Sequence, residues 1–318
     1  MRTVVTGGAG FIGSNLVDAL VARGDDVTVI DDISTGRREN LEQALATGAT
    51  LHELSVVDAQ GLRDAIALAE PEVVFHLAAQ IDVRRSVADP GIDARVNVEG
   101  TVNVLEAARL AGAQRVVYSS TGGAIYGDSE RVPTGEDAPT RPLSPYGQAK
   151  HAGEGYCALY RQLHGLETVV LRYANVYGPR QDPLGEGGVI AIFCGKLSDH
   201  GQPTVFGDGR QTRDYVHVAD VVRANLLAAD APAQTAGPFN IGSGIETSVL
   251  ELVDAFREIG GNSFEPQFAP SRAGEVLRSC LSARRAREQL GWEASISLPE
   301  GIRGTLAHVE SSRQPFSG

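Results

Sequence analysis

Two kinds of hydrophobic spacing alternate along the first half of the chain. Thr3-Val4-Val5-Thr6 is a short β-branched run, Phe11 to Arg23 carries apolar residues at helical intervals, and Val27 to Ile30 is β-branched again. Runs at Thr50 to Leu54, Val73 to Leu77, Arg115 to Ser119 and Thr168 to Leu171 continue the series, separated by helical stretches such as Ala94 to Leu110. Strands regularly parted by helices describe a parallel sheet covered on both faces. The pattern predicts an α/β fold: a Rossmann-like, doubly wound parallel sheet over residues 1–174.

After Asn175 the texture changes. Gly and Pro are dense between Gly178 and Gly188 and again from Gly201 to Gly209, around shorter elements. Helical spacing recurs at Val189 to Leu197, Val218 to Ala229, Ser248 to Ile259, Ala283 to Leu290 and Pro299 to Val309. Residues 175–318 are expected to form a smaller C-terminal α/β substrate domain, with segments such as 214–243 packing back on the first domain. No internal repeat, low-complexity tract or long linker interrupts this plan.

Composition narrows the partners. Among 318 residues, 28 Lys plus Arg face 40 Asp plus Glu, and the net charge of -12 argues against a nucleic-acid surface or an anionic membrane. No apolar run approaches the roughly 18 residues of a membrane span, and no basic leader precedes the first strand, so a cytoplasmic protein is expected. Cys157, Cys194 and Cys280 are far apart and lack metal-ligand spacing. They read as reduced structural thiols, with no metal.

A phosphate-bearing ligand must then meet backbone amides or local cations, and the first strand-to-helix turn offers them. Gly7-Gly8-Ala9-Gly10-Phe11-Ile12-Gly13 occupies that turn. Gly7 permits the tight turn, Gly10 lets the backbone approach a pyrophosphate, and Gly13 allows helix to pack on strand while the helix N-terminus faces the anion. Asp31 follows Gly13 by 18 residues at the end of the second strand, near the place of the acid that binds an adenosine ribose. A carboxylate there accepts from both ribose hydroxyls and repels a 2′-phosphate, and Asp32 deepens the preference for NAD; capping a turn is the plainer alternative for Asp31.

Ser144-Pro145-Tyr146-Gly147-Gln148-Ala149-Lys150 reads as a helix start, with Ser144 as N-cap and Pro145 in the first turn. Tyr146 and Lys150 then share a face. With an oxidised nicotinamide, the ammonium is expected to draw the phenol below its usual value of about 10, making it a base. Such pairs also decorate ordinary exposed helices. Thr121 supplies the third group, just past a strand's carboxyl end, where a hydroxyl either orients a reacting alcohol or caps a loop.

Taken together, these motifs resemble the extended short-chain dehydrogenase/reductase family, and within it the NAD-dependent nucleotide-sugar epimerases. The resemblance covers nearly the full length. It is carried by the glycine turn, His76-Leu77-Ala78-Ala79-Gln80, Asn97, the Thr121, Tyr146 and Lys150 set, Leu171-Arg172-Tyr173-Ala174-Asn175-Val176-Tyr177-Gly178-Pro179-Arg180, and Arg213-Asp214-Tyr215-Val216-His217-Val218. It implies inversion at carbon 4 of a UDP-hexose, interconverting the glucose and galactose forms through a 4-keto sugar, with Thr121, Tyr146 and Lys150 catalytic. It also implies that Gly7, Gly10, Phe11, Ile12, Gly13, Asp31, Asp32, Ser34, Thr35 and Gly36 hold NAD, with Val57 and Asp58 at the adenine. Leu77, Ala78, Ala79 and Gln80 would follow the cofactor's middle, and Asn97, Ser119, Tyr146, Lys150 and Tyr173 its nicotinamide side. The UDP-sugar would meet Thr121, Tyr146, Asn175, Val189, Phe206, Arg213, Arg272 and Glu275, two arginines neutralising the diphosphate. A homodimer is implied too, through the helices near Ala94 to Leu110 and Pro145 to Gln162.

Two departures bear on the substrate. Gly122-Gly123-Ala124 after Thr121 lacks the acids of related dehydratases and decarboxylases, which weighs against a lyase. Ser279 stands where some epimerases place a bulky tyrosine, so an N-acetylhexosamine remains an alternative; a uronate does as well, through Arg84, Arg85, Arg180 or Arg278. A non-catalytic NAD sensor is the remote alternative, disfavoured by the intact Tyr146 and Lys150.

Overall fold

The β-branched runs of the first half become buried strands. A computed structural model describes residues 1–183, 188–261, 264–271 and 276–312. Strands β1 (Arg2–Thr6), β2 (Asp26–Asp31), β3 (Thr50–Glu53), β4 (Val73–His76), β5 (Arg115–Thr121), β6 (Glu167–Tyr173) and β7 (Phe239–Ile241) form one sheet in the order β7-β6-β5-β4-β1-β2-β3. Every neighbouring pair is parallel, with Thr3 opposite both Val27 and Val73.

Side chains of a strand alternate between the two faces, and here both faces are covered. On one face Val5, Phe75, Val117 and Val169 pack against Leu16, Val17 and Leu20 of α1 (Phe11–Arg23) and Val221, Ala224 and Ala228 of the helix Val218–Asp230. On the other, Val4, Val74, Val116 and Val170 pack against Leu62 and Ile66 of α2 (Ala59–Ala69), Val104 and Leu105 of α3 (Gly100–Leu110), and Cys157 of α4 (Pro145–His164). Each such buried aliphatic contributes about 1.5–3 kcal/mol. The crossing of the winding falls between β1 and β4, so the crevice for a ligand opens beyond Thr6 and His76.

Local signals set the helix bounds. Ser144 caps α4 by accepting from the Gly147 amide at 3.2 Å, Pro145 stands in the first turn, and Gly165 ends the helix. Ahead of α3, residues Arg95–Glu99 form one wide π-helical turn that continues the helix Pro90–Ala94, and Asn97 lies inside it. Such turns concentrate at functional positions.

A third core belongs to the second half. Phe193, Phe256 and Phe264 meet with ring centroids 5.4 to 5.7 Å apart, joined by Ile190, Val205, Leu252, Ile302 and Val309. The second half also returns to the sheet: Val218–Asp230 rests on α1, β7 extends the sheet beside β6, and buried Trp292 donates from Nε1 to the Asp220 carbonyl at 2.8 Å. Among the described residues no helix is long and apolar enough to cross a membrane.

Candidate active site

The glycine turn is built by contacts that leave no room for side chains. Gly7 has φ +71°, and a Cβ there would lie 2.5 Å from the Ala78 amide nitrogen. A Cβ on Gly13 would overlap the Gly7 carbonyl. Gly10 begins α1 with no side-chain cap and no acid in the first turn. Among the described residues the first amides of α1, on Phe11, Ile12 and Gly13, therefore have no side-chain acceptor, and with the helix dipole they make an anion site.

Asp31 closes the other side of the cradle. Its Oδ2 accepts from the Ala9 amide and its Oδ1 from the Ile33 amide, both at 2.9 Å. Burial raises its pKa against these two bonds. Asp32 accepts from the Ser34 amide at 3.0 Å, and although burial pushes it up, hydrogen bonds from Ser34 and Ser55 leave it lowered. Thr35 follows in the loop, and Gly36 packs on Ala9 and Asp31, where a Cβ would come within 2.9 Å of Ala9. Asp58 is exposed and caps α2, accepting from the Gly61 amide at 3.1 Å, with Val57 half-buried before it. A glycine cradle, an uncapped helix start and a carboxylate at the end of β2 fit the pyrophosphate and ribose of NAD.

The far wall follows β4. Leu77 donates to the Thr6 carbonyl at 3.1 Å and Ala78 to the Thr6 hydroxyl at 3.3 Å. Beyond Ala79, Asn97 takes the Gln80 amide on Oδ1 and returns Nδ2 to the Gln80 carbonyl, both at 2.9 Å. His76 lies beneath, between the hydroxyls of Thr6 at 2.8 Å and Thr101 at 3.0 Å. Burial, with Lys150 nearby, pushes its pKa down to about 3, so it is neutral.

Sheet and helix position the three candidate groups. Thr121 ends β5, and its hydroxyl lies beside the Tyr146 phenol in the first turn of α4. Burial pushes the Tyr146 phenol up to about 12; the nearby Thr121 hydroxyl opposes this, and the charge of Asp93 adds to it. In the polypeptide itself the phenol is thus raised rather than lowered. Lys150 is turned inward: Nζ donates to the Ser119 carbonyl at 2.8 Å and lies 5.1 Å from the Tyr118 ring centre. Burial brings its pKa down to about 8, against the charges of Asp93 and Glu154. Tyr173 shares a hydrogen bond of 3.0 Å with Ser119, is also bound by Asn225, and is pushed up to about 12 by burial.

Toward the second half of the chain, a Cβ on Gly123 would lie 3.8 Å from Asn175 Oδ1 and 4.0 Å from the Thr121 hydroxyl, which places Asn175 beside the Thr121 loop. Val189 opens the helix Val189–Ser198 and packs on the third core. Phe206 ends the strand Thr204–Phe206, and Arg213 donates from Nη1 to the Thr212 carbonyl at 2.8 Å. Arg272 and Glu275 lie outside the described residues.

Known proteins share this fold along nearly the whole chain. The profile of the NAD dependent epimerase/dehydratase family matches residues 3–242. The chain is 50% identical over 315 residues to UDP-glucose 4-epimerase of Mycolicibacterium smegmatis, covering 99% of this chain and 100% of that one. The chain belongs to the NAD dependent epimerase/dehydratase family. Two solved structures agree with it in fold: a Thermotoga maritima UDP-glucose 4-epimerase with UDP-glucose (TM-score 0.94, 44% identity, 99% of this chain and 100% of that chain) and a Thermus thermophilus UDP-glucose 4-epimerase with NAD (TM-score 0.91, 42% identity, 98% and 100%).

For this member of the epimerase/dehydratase family, sequence reasoning passed over three buried charges. Glu154 follows Lys150 by one helical turn and accepts from Ser120 Oγ at 2.6 Å and from Arg172 at 2.6 and 2.8 Å. Arg172 lies opposite Ser120 in the β5–β6 register and also donates to the Tyr126 hydroxyl at 2.8 Å. The spacing of Tyr146, Lys150 and Glu154, four residues each, was the available signal. Asp93 precedes Asn97 by four residues and accepts from its side chain.

Proposed function

We propose that this chain is an NAD-dependent UDP-glucose 4-epimerase, interconverting UDP-glucose and UDP-galactose through a transient 4-keto sugar. The observation that carries the reading is the placement of the Thr121 hydroxyl beside the Tyr146 phenol, one helical turn from a buried Lys150, in a chain of this family. Bound NAD supplies a hydride acceptor and donor for carbon 4. Tyr146 takes the proton of the 4-hydroxyl as the alcohol is oxidised and returns it after the keto sugar has presented its other face. Thr121 orients that oxygen throughout, and the Lys150 ammonium favours the phenolate. Arg213 faces the diphosphate, Phe206 and Val189 cover the base, and Asn175 lies at the sugar end, with Arg272 and Glu275 completing the set. No acid in Gly122-Gly123-Ala124 stands ready for an elimination, which favours epimerisation over a lyase reaction.

Purified protein, given no added cofactor, is expected to convert UDP-galactose to UDP-glucose until the two reach equilibrium, read by chromatography. UDP-N-acetylgalactosamine and UDP-galacturonate run in parallel. If one of these is inverted and UDP-galactose is untouched, the hexose reading fails.

A homodimer is the proposed assembly. Leu110 on α3 and Tyr156, Leu159 and Leu163 on α4 are exposed apolar side chains on neighbouring helices, a face suited to a second copy. Sedimentation equilibrium should read twice the chain's mass; a monomer at micromolar concentration would count against it. The proposed compartment is the cytoplasm, where the free, buried Cys157, Cys194 and Cys280 stay reduced.

A further inference from the structure

One buried carboxylate in the wall of the cleft has no task in the reaction just described. Asp93 lies on the short helix Pro90–Ala94, which packs against α4, and it is 1% exposed. Its Oδ1 accepts from Gln80 Nε2 at 2.9 Å and from Asn97 Nδ2 at 3.0 Å. Its Oδ2 is buried with no hydrogen-bond partner among the described residues. An ionised oxygen kept dry is costly unless a cation offsets it, and a buried ammonium carries the mirror-image cost.

Lys150 is a buried ammonium on α4, the helix against which Pro90–Ala94 packs. Its one protein acceptor is a neutral carbonyl, that of Ser119, so its charge lacks a directly bound counter-ion among the described residues. The other groups facing the pair are already engaged or uncharged. Glu154 is bound by Arg172 and Ser120, and His76 is neutral between Thr6 and Thr101. Cys157, Tyr118 and Tyr146 are raised by burial and keep their protons at neutral pH. Asp82 caps the helix Val83–Ala88, and Arg84 and Arg85 on that helix, like Arg95 and Glu99 beyond Asp93, are exposed.

We propose that Asp93 is a positioning residue for the epimerisation, the counter-charge that keeps Lys150 an ammonium inside the protein while its other oxygen clamps Gln80 and Asn97 in the nicotinamide-side wall. The inference rests on reading Tyr146 and Lys150 as the reacting pair. The electrostatics agree in sign: Asp93 is the foremost charge opposing the fall of the Lys150 pKa, and it also holds the Tyr146 phenol up. Removing the charge lowers both groups together. The pH window in which lysine is charged and tyrosine ionisable then moves as a whole towards acid.

Asp93→Asn removes the charge while leaving an oxygen for Gln80 and Asn97, Asp93→Ser removes it and leaves only a shorter hydroxyl, and Asp93→Glu retains the charge. The pH profile of kcat for UDP-galactose is measured for parent and variants, with bound NAD quantified after gel filtration. In the uncharged variants both limbs are expected to shift to lower pH by about one unit, with NAD content kept, and Asp93→Glu is expected to hold the parent's limbs. A purely structural carboxylate would scale kcat down at every pH without moving the limbs. Profiles that superimpose after scaling, or failure of both uncharged variants to fold, overturn the proposal. A parent that leaves UDP-galactose unchanged at every pH overturns the underlying reading instead.

Discussion

Tyr146→Phe is expected to lower kcat for UDP-galactose by about 10²–10⁴-fold, the range a positioned general base contributes. The ring stays and only the hydroxyl goes, so folding and bound NAD should match the parent's. The loss is large because the polypeptide makes the phenolate difficult to form. Burial and Asp93 hold the phenol up to about 12, and the Thr121 hydroxyl recovers only part of that. Each unit by which a positive nicotinamide and Lys150 bring it back is worth about 1.4 kcal/mol of base strength. A phenylalanine leaves those cations nothing to act on. Single-turnover conversion at saturating UDP-galactose reads the effect free of product release. A variant turning over at the parent's rate would mean that another group takes the proton.

Why the fold was legible and part of the site was not comes down to the range of the signals. Thr3-Val4-Val5-Thr6, Phe11 to Arg23 and Val27 to Ile30 each carry their period within one element, and each appears within a residue or so of its expected bounds. Ser144 and Pro145 mark the start of α4 because capping is local. β7 was not foreseen: three residues between Gly237-Pro238 and Gly242 are too short to show a period, and its place depends on pairing with β6. The same holds for Glu154, Arg172 and Asp93. A charged residue on a helix reads as solvated until the strand or helix that buries it is known, and those partners lie 13 to 34 residues away for Gln80 and Ser120. Lys150 shows the limit most plainly. Its spacing from Tyr146 was visible, but that its ammonium would turn to the Ser119 carbonyl depends on where β5 ends.

Glu154→Ala or Arg172→Ala is expected to destabilise the folded protein by about 3–5 kcal/mol, because each leaves a buried partner charge uncompensated. The two side chains are 9% and 5% exposed, and their paired hydrogen bonds tie α4 to β6. The damage does not stop at the pair. Ser120 loses its acceptor when Glu154 goes, and Tyr126 loses its donor when Arg172 goes, while Tyr126 in turn donates to Asn240 on β7 at 2.8 Å. Ser120 and Tyr126 bracket the Thr121 loop on both sides. Urea unfolding followed by circular dichroism measures the loss, and kcat of the still-folded fraction measures its reach to Thr121. Replacing both charges together, Glu154→Leu with Arg172→Met, is expected to recover most of the stability, since well-packed apolar pairs often equal buried ion pairs. It should recover little of kcat, because no apolar side chain can fix the Ser120 and Tyr126 hydroxyls. Recovery of both would reduce the pair to packing; recovery of stability alone would show that these charges are kept for the geometry of Thr121.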